Sequence, residues 1–206
     1  MLKNPIEPCD ADFKKVVLLK CYDALALAGF TRFRKEGVDW PMEGGFHCWV
    51  GLNSGLEKER VGINPFVGVH VVQVEKFWTR LDLGRNAVKY SRGHATYAIH
   101  MGELVPHEPV FEFTRHTDIA AEANRLACLY SDIGLSYALS IGTYERLLPL
   151  LRERVSMLGA YPERVASCLY LMGRKEEARS FVEEFLQGHC AYFEGFAVPF
   201  LRMLDD

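Results

Sequence analysis

The sequence predicts an α+β fold: an N-terminal helix with a mostly antiparallel sheet of about four strands, followed by a C-terminal helical bundle or hairpin region. Three observations carry this. Apolar residues recur at three- and four-residue spacing from Phe13 to Ala28. From Phe30 to Met101 the period falls to two, in short runs rich in β-branched and aromatic residues. After "VPHEPVFEFTRH" the helical period returns and lasts to the end of the sequence.

The first helix has Asp10 or Asp12 as N-cap and closes at Gly29, with Phe30 as the apolar contact beyond the cap. "FTRFRKEG" alternates aromatic and basic residues, as an edge strand does. In "GGFHCWVGLN", Phe46, Cys48, Val50 and Leu52 point one way, and His47, Trp49 and Asn53 the other. "VGINPFVGVHVV" is apolar on both faces, the mark of a central strand, and Pro65 predicts a bulge or break in it. "QVEKFWTRLDLGRNAV" reads as a short helix and "GHATYAIHMGEL" as a further strand.

Thr117 or Asp118 caps the next helix. In "TYERLLPLLRERVSMLG", Pro149 must start a helix or kink one, whereas Pro162 suits the first turn of "ERVASCLYLMG". "ASCLYLMGRKEEARSFVEEFL" resembles the helix-turn-helix unit of tetratricopeptide repeats, but it occurs once, so a plain helical hairpin is expected. The organisation is an α+β domain over 1–115 and a helical region over 116–206 packed against it. Strands followed by helices fit two domains or one continuous core.

The 206 residues carry a formal charge of -3, which argues against a dedicated nucleic-acid binder. The cysteines show no CxxC and no paired spacing, and "MLKNPIEPCDADFKK" lacks the apolar core of a signal peptide. No apolar run reaches the roughly 18 residues of a membrane span. The expectation is a reduced, cytoplasmic protein with no membrane partner.

No catalytic residue is assigned, and no metal or cofactor is expected. His47, His70, His94 and His100 fall on predicted strands. His94 and His100 share a face but stand about 20 Å apart along an extended chain, and two converging ligands do not make a zinc site. Cys48 points away from its neighbour His47, so the two cannot form a nucleophile–base pair. Phosphate loops and serine-nucleophile motifs are absent. A basic segment with interleaved aromatics contains Arg80, Arg85, Lys89 and Arg92, a pattern that suits nucleic acid. An acidic run follows, with Glu103, Glu108, Glu112 and Asp118 as the expected partner contacts, since complementary charge steers association.

The order "ALAGFTRFRKEG", "HCWVGLN" and "VGINPFVGVHVVQVEKFW" resembles the small bacterial domains of unknown function grouped as DUF4304, over about residues 12–80. The likeness rests on Gly29, Phe30, Asn64, Gly68, Val69 and His70. It implies no catalytic residues. In style the chain is also similar to immunity proteins of bacterial toxin systems. The expected function is therefore a non-enzymatic protein-binding protein, in its sharpest form a toxin-neutralising one. The alternatives are a nucleic-acid-binding or nucleic-acid-processing protein, and a hydrolase built on the strand histidines.

Overall fold

In the computed structural model, residues 8–33, 37–81, 89–105, 107 and 110–206 are described. The elements run α1 (Ala11–Leu27), β1 (Thr31–Arg32), β2 (Val38–Pro41), β3 (Phe46–Leu56), β4 (Val61–Val71), α2 (Val72–Leu81), β5 (Tyr97–His100) and β6 (Phe111–Phe113). Helices α3 (Ile119–Leu129), α4 (Leu135–Ser140), α5 (Tyr144–Glu153), α6 (Tyr161–Leu171) and α7 (Lys175–Asp205) complete the chain. The fold is α+β with an N-terminal helix and a C-terminal helical region, as expected.

The sheet has six strands rather than about four, in the order β1-β2-β3-β4-β5, with β6 also paired to β4. The two unforeseen strands are β2 and the three-residue β6. Both are too short for an alternating pattern to stand out from the connectors around them. The β1–β2, β2–β3 and β4–β6 pairings are antiparallel. Pro65 neither breaks nor splits its strand, because β4 runs unbroken from Val61 to Val71. It lies just past the stretch Val61–Ile63 that pairs with β6, where the loss of one N–H costs no bond to that neighbour.

Two compact units share the chain, each built from three segments. The first holds residues 1–42, 47–68 and 98–140, and the second 43–46, 69–97 and 141–206.

In the first unit, Asp10 caps α1 by accepting from the Phe13 amide at 2.7 Å. That bond, with Arg115 nearby at 3.1 Å, holds the Asp10 carboxyl below its ordinary range. Phe13, Val17, Cys21, Ala24 and Leu25 form the buried stripe of α1, which packs on α3. Gly29 then takes φ 99°, and the Trp40 ring lies where a side chain would stand, 2.7 Å from an added Cβ. Asp118 caps α3, which passes through a π-helical turn, Tyr130–Gly134, into α4. Tyr130 is wholly buried, with its hydroxyl 2.9 Å from the carbonyl oxygens of both Gly51 and Phe66. One phenol thus pins the helix to two neighbouring strands, and burial pushes its pKa well up.

In the second unit, α5 begins at the Thr143 cap and carries Pro149 in its interior rather than at its start. Pro162 does occupy the first turn of α6. At Gly173 (φ 77°) the chain turns into α7, making the expected helical hairpin. Helix α7 is itself two helices. His189 leaves helical geometry (φ −137°, ψ 32°), and Arg179 meets Asp205 at 2.6 Å. Those residues would stand about 39 Å apart along a straight helix, so the second half folds back on the first. The core between these helices and α2 is aromatic: Phe77 stacks on Tyr170 at 4.8 Å, and Phe200 meets both edge-on. Buried among these helices, Glu75 accepts from Arg164 Nε at 2.7 Å and from Trp78 Nε1 at 2.9 Å.

Candidate functional site

Alternation along β3 and β4 gives the first unit two unlike sheet faces. Cys48, Val50, Val61, Ile63 and Val67 are buried. Between them, His47, Trp49, Gly51, Asn53, Gly62, Asn64 and Phe66 point to the other face, where the asparagines are exposed and Trp49 and Phe66 half-buried. The antiparallel register sets Gly62 opposite Glu112, which extends this face onto β6.

Gly51 explains the shape of the surface. A Cβ built there would come within 2.4 Å of the Trp49 ring and 3.1 Å of the Phe66 Cβ. The indole therefore lies flat along its own strand, over the one residue that leaves room for it. Among the described residues, nothing would meet a Cβ at Gly55 or Gly62 within 4 Å. A groove of about 260 Å³ opens there between Asn53, Asn64, Val110 and Phe111. The result is a flat aromatic surface with amide groups at its border and a shallow groove at one end. No lysine or arginine occupies the described positions of this face on β2, β3, β4 and β6.

At the other end of the face, Asp39 on β2 lies across from Trp49 on β3. Asp39 is 1 % exposed, and its Oδ2 stands 3.4 Å from His47 Nδ1. A buried carboxylate beside one imidazole nitrogen orients the ring and directs the other nitrogen away. Asp39 escaped notice in the sequence because β2 did. His100 has a structural task. Its Nδ1 accepts from the Gly102 amide at 3.0 Å, and its ring packs edge-on to Phe66 at 5.3 Å.

His70 and His94 belong to the second unit. His70 is 1 % exposed, and its Nδ1 donates to the His94 carbonyl at 2.7 Å. A carbonyl only accepts, so Nδ1 carries the proton and Nε2 faces the Tyr90 hydroxyl at 3.3 Å. His70 thus joins β4 to the chain before β5. Among the described residues, no group of three or more His, Cys, Asp or Glu side chains could hold a metal ion. Cys48 is buried, and desolvation pushes its thiol up to about 12, so it is no thiolate nucleophile at neutral pH.

The acidic run is tied into local structure. Glu103 accepts from the His100 amide at 3.1 Å, Glu112 pairs with Arg60, and Asp118 caps α3 by accepting from Ala121 at 3.0 Å. Glu108 lies outside the described residues, as does Arg85 of the basic segment. In the second unit, Arg80 lies in the last turn of α2 with its guanidinium over the Phe77 ring at 5.9 Å, and Lys89 is exposed. Arg92 is half-buried.

No helix among the described residues is long and apolar enough to cross a membrane. No protein-family model, curated protein or solved structure matches the chain.

Proposed function

We propose that this is a non-enzymatic protein-binding protein that takes its partner on the aromatic sheet face of the first unit. The observation that carries the reading is the indole of Trp49 laid over Gly51 beside half-buried Phe66. Flat, rigid aromatic surface of this kind supplies contact area at small entropic cost, and tryptophan is among the residues enriched at interface hot spots. Asn53 and Asn64 supply donors and acceptors at the border. Of the acidic groups on this face, Glu112 is paired with Arg60 and Asp39 is buried beside His47, so the face selects its partner by shape and amide contacts more than by charge. Six free thiols suit a reducing cytoplasm. Neutralisation of a toxin is the narrower form of the reading, and the product of an adjoining gene is the bait with which to begin. Against such a partner, Trp49→Ala is expected to weaken binding by about 2 kcal/mol or more, some thirtyfold, in calorimetry. Gly51→Ala is expected to weaken it too, by lifting the indole. Undiminished affinity in a well-folded Trp49→Ala protein overturns the assignment.

A second reading, a hydrolase, rests on Asp39 and His47 alone. The pair is an orienting carboxylate and a base, and it would activate water or a substrate hydroxyl. Under this reading Asp39→Asn lowers turnover of an ester substrate about 10²-fold or more, with the fold intact by circular dichroism. Equal rates for Asp39→Asn and the parent protein dismiss it.

A further inference from the structure

Most arginines of the described chain are spent on carboxylates. Arg32 meets Asp23, Arg60 meets Glu57 and Glu112, Arg115 meets Asp10, Arg125 meets Glu122, and Arg152 and Arg174 share Glu177. One part of the second unit departs from this habit. Lys76, Arg80, Lys89 and Lys175 are exposed, and no carboxylate of a described residue pairs with any of them.

Three of these cations are seated on rings instead. Arg80 lies over Phe77 at 5.9 Å, and Lys175 over Tyr170 at 5.8 Å. Those two rings are stacked on each other at 4.8 Å, so each ring of one aromatic pair carries a cation. Lys76, one helical turn before Arg80 on α2, lies over Tyr90 at 5.5 Å, and Lys89 adjoins that tyrosine in sequence. A ring under a cation narrows its motion and leaves its charge unneutralised. Lys175 is also the first residue of α7, where the helix dipole disfavours positive charge. Glu176 beside it is exposed and forms no ion pair with the four among the described residues.

We propose that this braced cationic patch of the second unit docks an acidic polypeptide segment, a contact independent of the sheet face. Two observations favour acidic peptide over nucleic acid. Phe77 is 8 % exposed and stacked on Tyr170, and Tyr90 lies under Lys76, so these rings are engaged inside the protein rather than laid out as a platform for bases. The chain as a whole is negative, at -3, and its field opposes a densely charged phosphate backbone more than a short run of carboxylates.

The test is fluorescence anisotropy of a labelled oligoglutamate titrated with the full chain at low ionic strength. Binding is expected, weakening with salt, and falling about tenfold or more in Lys76→Glu/Arg80→Glu/Lys175→Glu. The charge-matched control Lys15→Glu/Lys20→Glu/Lys58→Glu, on the first unit, is expected to keep most of the affinity. If the triple reversal fails to fold, Lys76→Gln/Arg80→Gln/Lys175→Gln decides, because it leaves the stacked rings in place. Absence of binding, equal losses in patch and control variants, or tighter binding of single-stranded oligothymidylate overturns the proposal.

Discussion

Replacing Arg164 by alanine is expected to destabilise the second unit by about 3–5 kcal/mol. Glu75 is 3 % exposed and sits within hydrogen-bonding distance of Arg164 Nε and Nη2, at 2.7 and 3.3 Å, and of Trp78 Nε1, at 2.9 Å. Removing the guanidinium leaves a buried carboxylate with the indole N–H as its remaining donor of the three. The loss is therefore the cost of a stranded charge, which exceeds what the intact pair contributes. The contrast is Glu75→Leu combined with Arg164→Met. That apolar pair of similar bulk is expected to cost far less than Arg164→Ala alone, and it can come close to neutral. Urea unfolding of the parent, both single variants and the double variant reads the coupling directly. Near-equal midpoints for Arg164→Ala and the parent contradict the role given to this pair. Arg164 belongs to the second unit and is not one of the residues of the sheet face, so the substitution also separates stability from binding.

Raising the pH from 8 to about 10 is expected to destabilise the protein steeply, by roughly 2 kcal/mol for each buried thiol. Burial pushes Cys21 and Cys48 up to about 12, and Cys168 higher still. In the unfolded chain these thiols ionise near their ordinary value of about 8.5. The folded form binds its protons more tightly. Its stability is thus fully present below about pH 8.5 and is lost as the pH climbs from there through the folded values. Tyr144, pushed up to about 12 by burial, adds the same sign from about pH 10. Thermal melts at stepped pH check this, with Cys48→Val expected to flatten the slope. Cys128→Ser, at an exposed position, is expected to leave it unchanged. A melting temperature constant from pH 8 to 10 contradicts the assignment.

The elements legible in the sequence were those with a strong local signal. Asp10, Asp118, Gly29 and Pro162 mark helix ends, and each occupies the expected cap or first-turn position. The alternation of "FHCWV" placed Cys48 on the apolar face and Trp49 opposite, and the structure agrees. Where the signal was short or ambiguous the reading failed. β2 and β6 are brief, and Pro65, which suggested a bulge or break, sits beyond the β6 pairing of a strand that is not broken there. The break at His189 falls where the pattern of "RKEEARSFVEEFLQG" ends and a last apolar stretch, "YFEGFAVPFLRML", begins.

The candidate surfaces divide in the same way. In the acidic run, Glu103 and Asp118 accept from nearby backbone amides, while Glu112 pairs with Arg60. Whether a charge is spent cannot be read from spacing, because Arg60 reaches Glu112 from 52 residues away. The basic segment was visible as composition. The Tyr90 ring beneath Lys76 comes from the chain before β5, and the arrival of Tyr170 and Lys175 beside Phe77 depends on α6 and α7 packing against α2.

By itself the sequence determined the local grammar of this protein: which stretches are helix or strand, where helices begin, and which strand residues share a face. These follow from backbone sterics, capping and periodicity, which act over a few residues. Only the tertiary structure decided which faces stay open, which charges are neutralised and which are seated on rings. It also turned His70 from a lone strand histidine into a proton-ordered link between the His94 carbonyl and Tyr90. Such properties belong to pairs of residues far apart in the chain. Their energies depend on burial and distance, which spacing along a sequence does not encode.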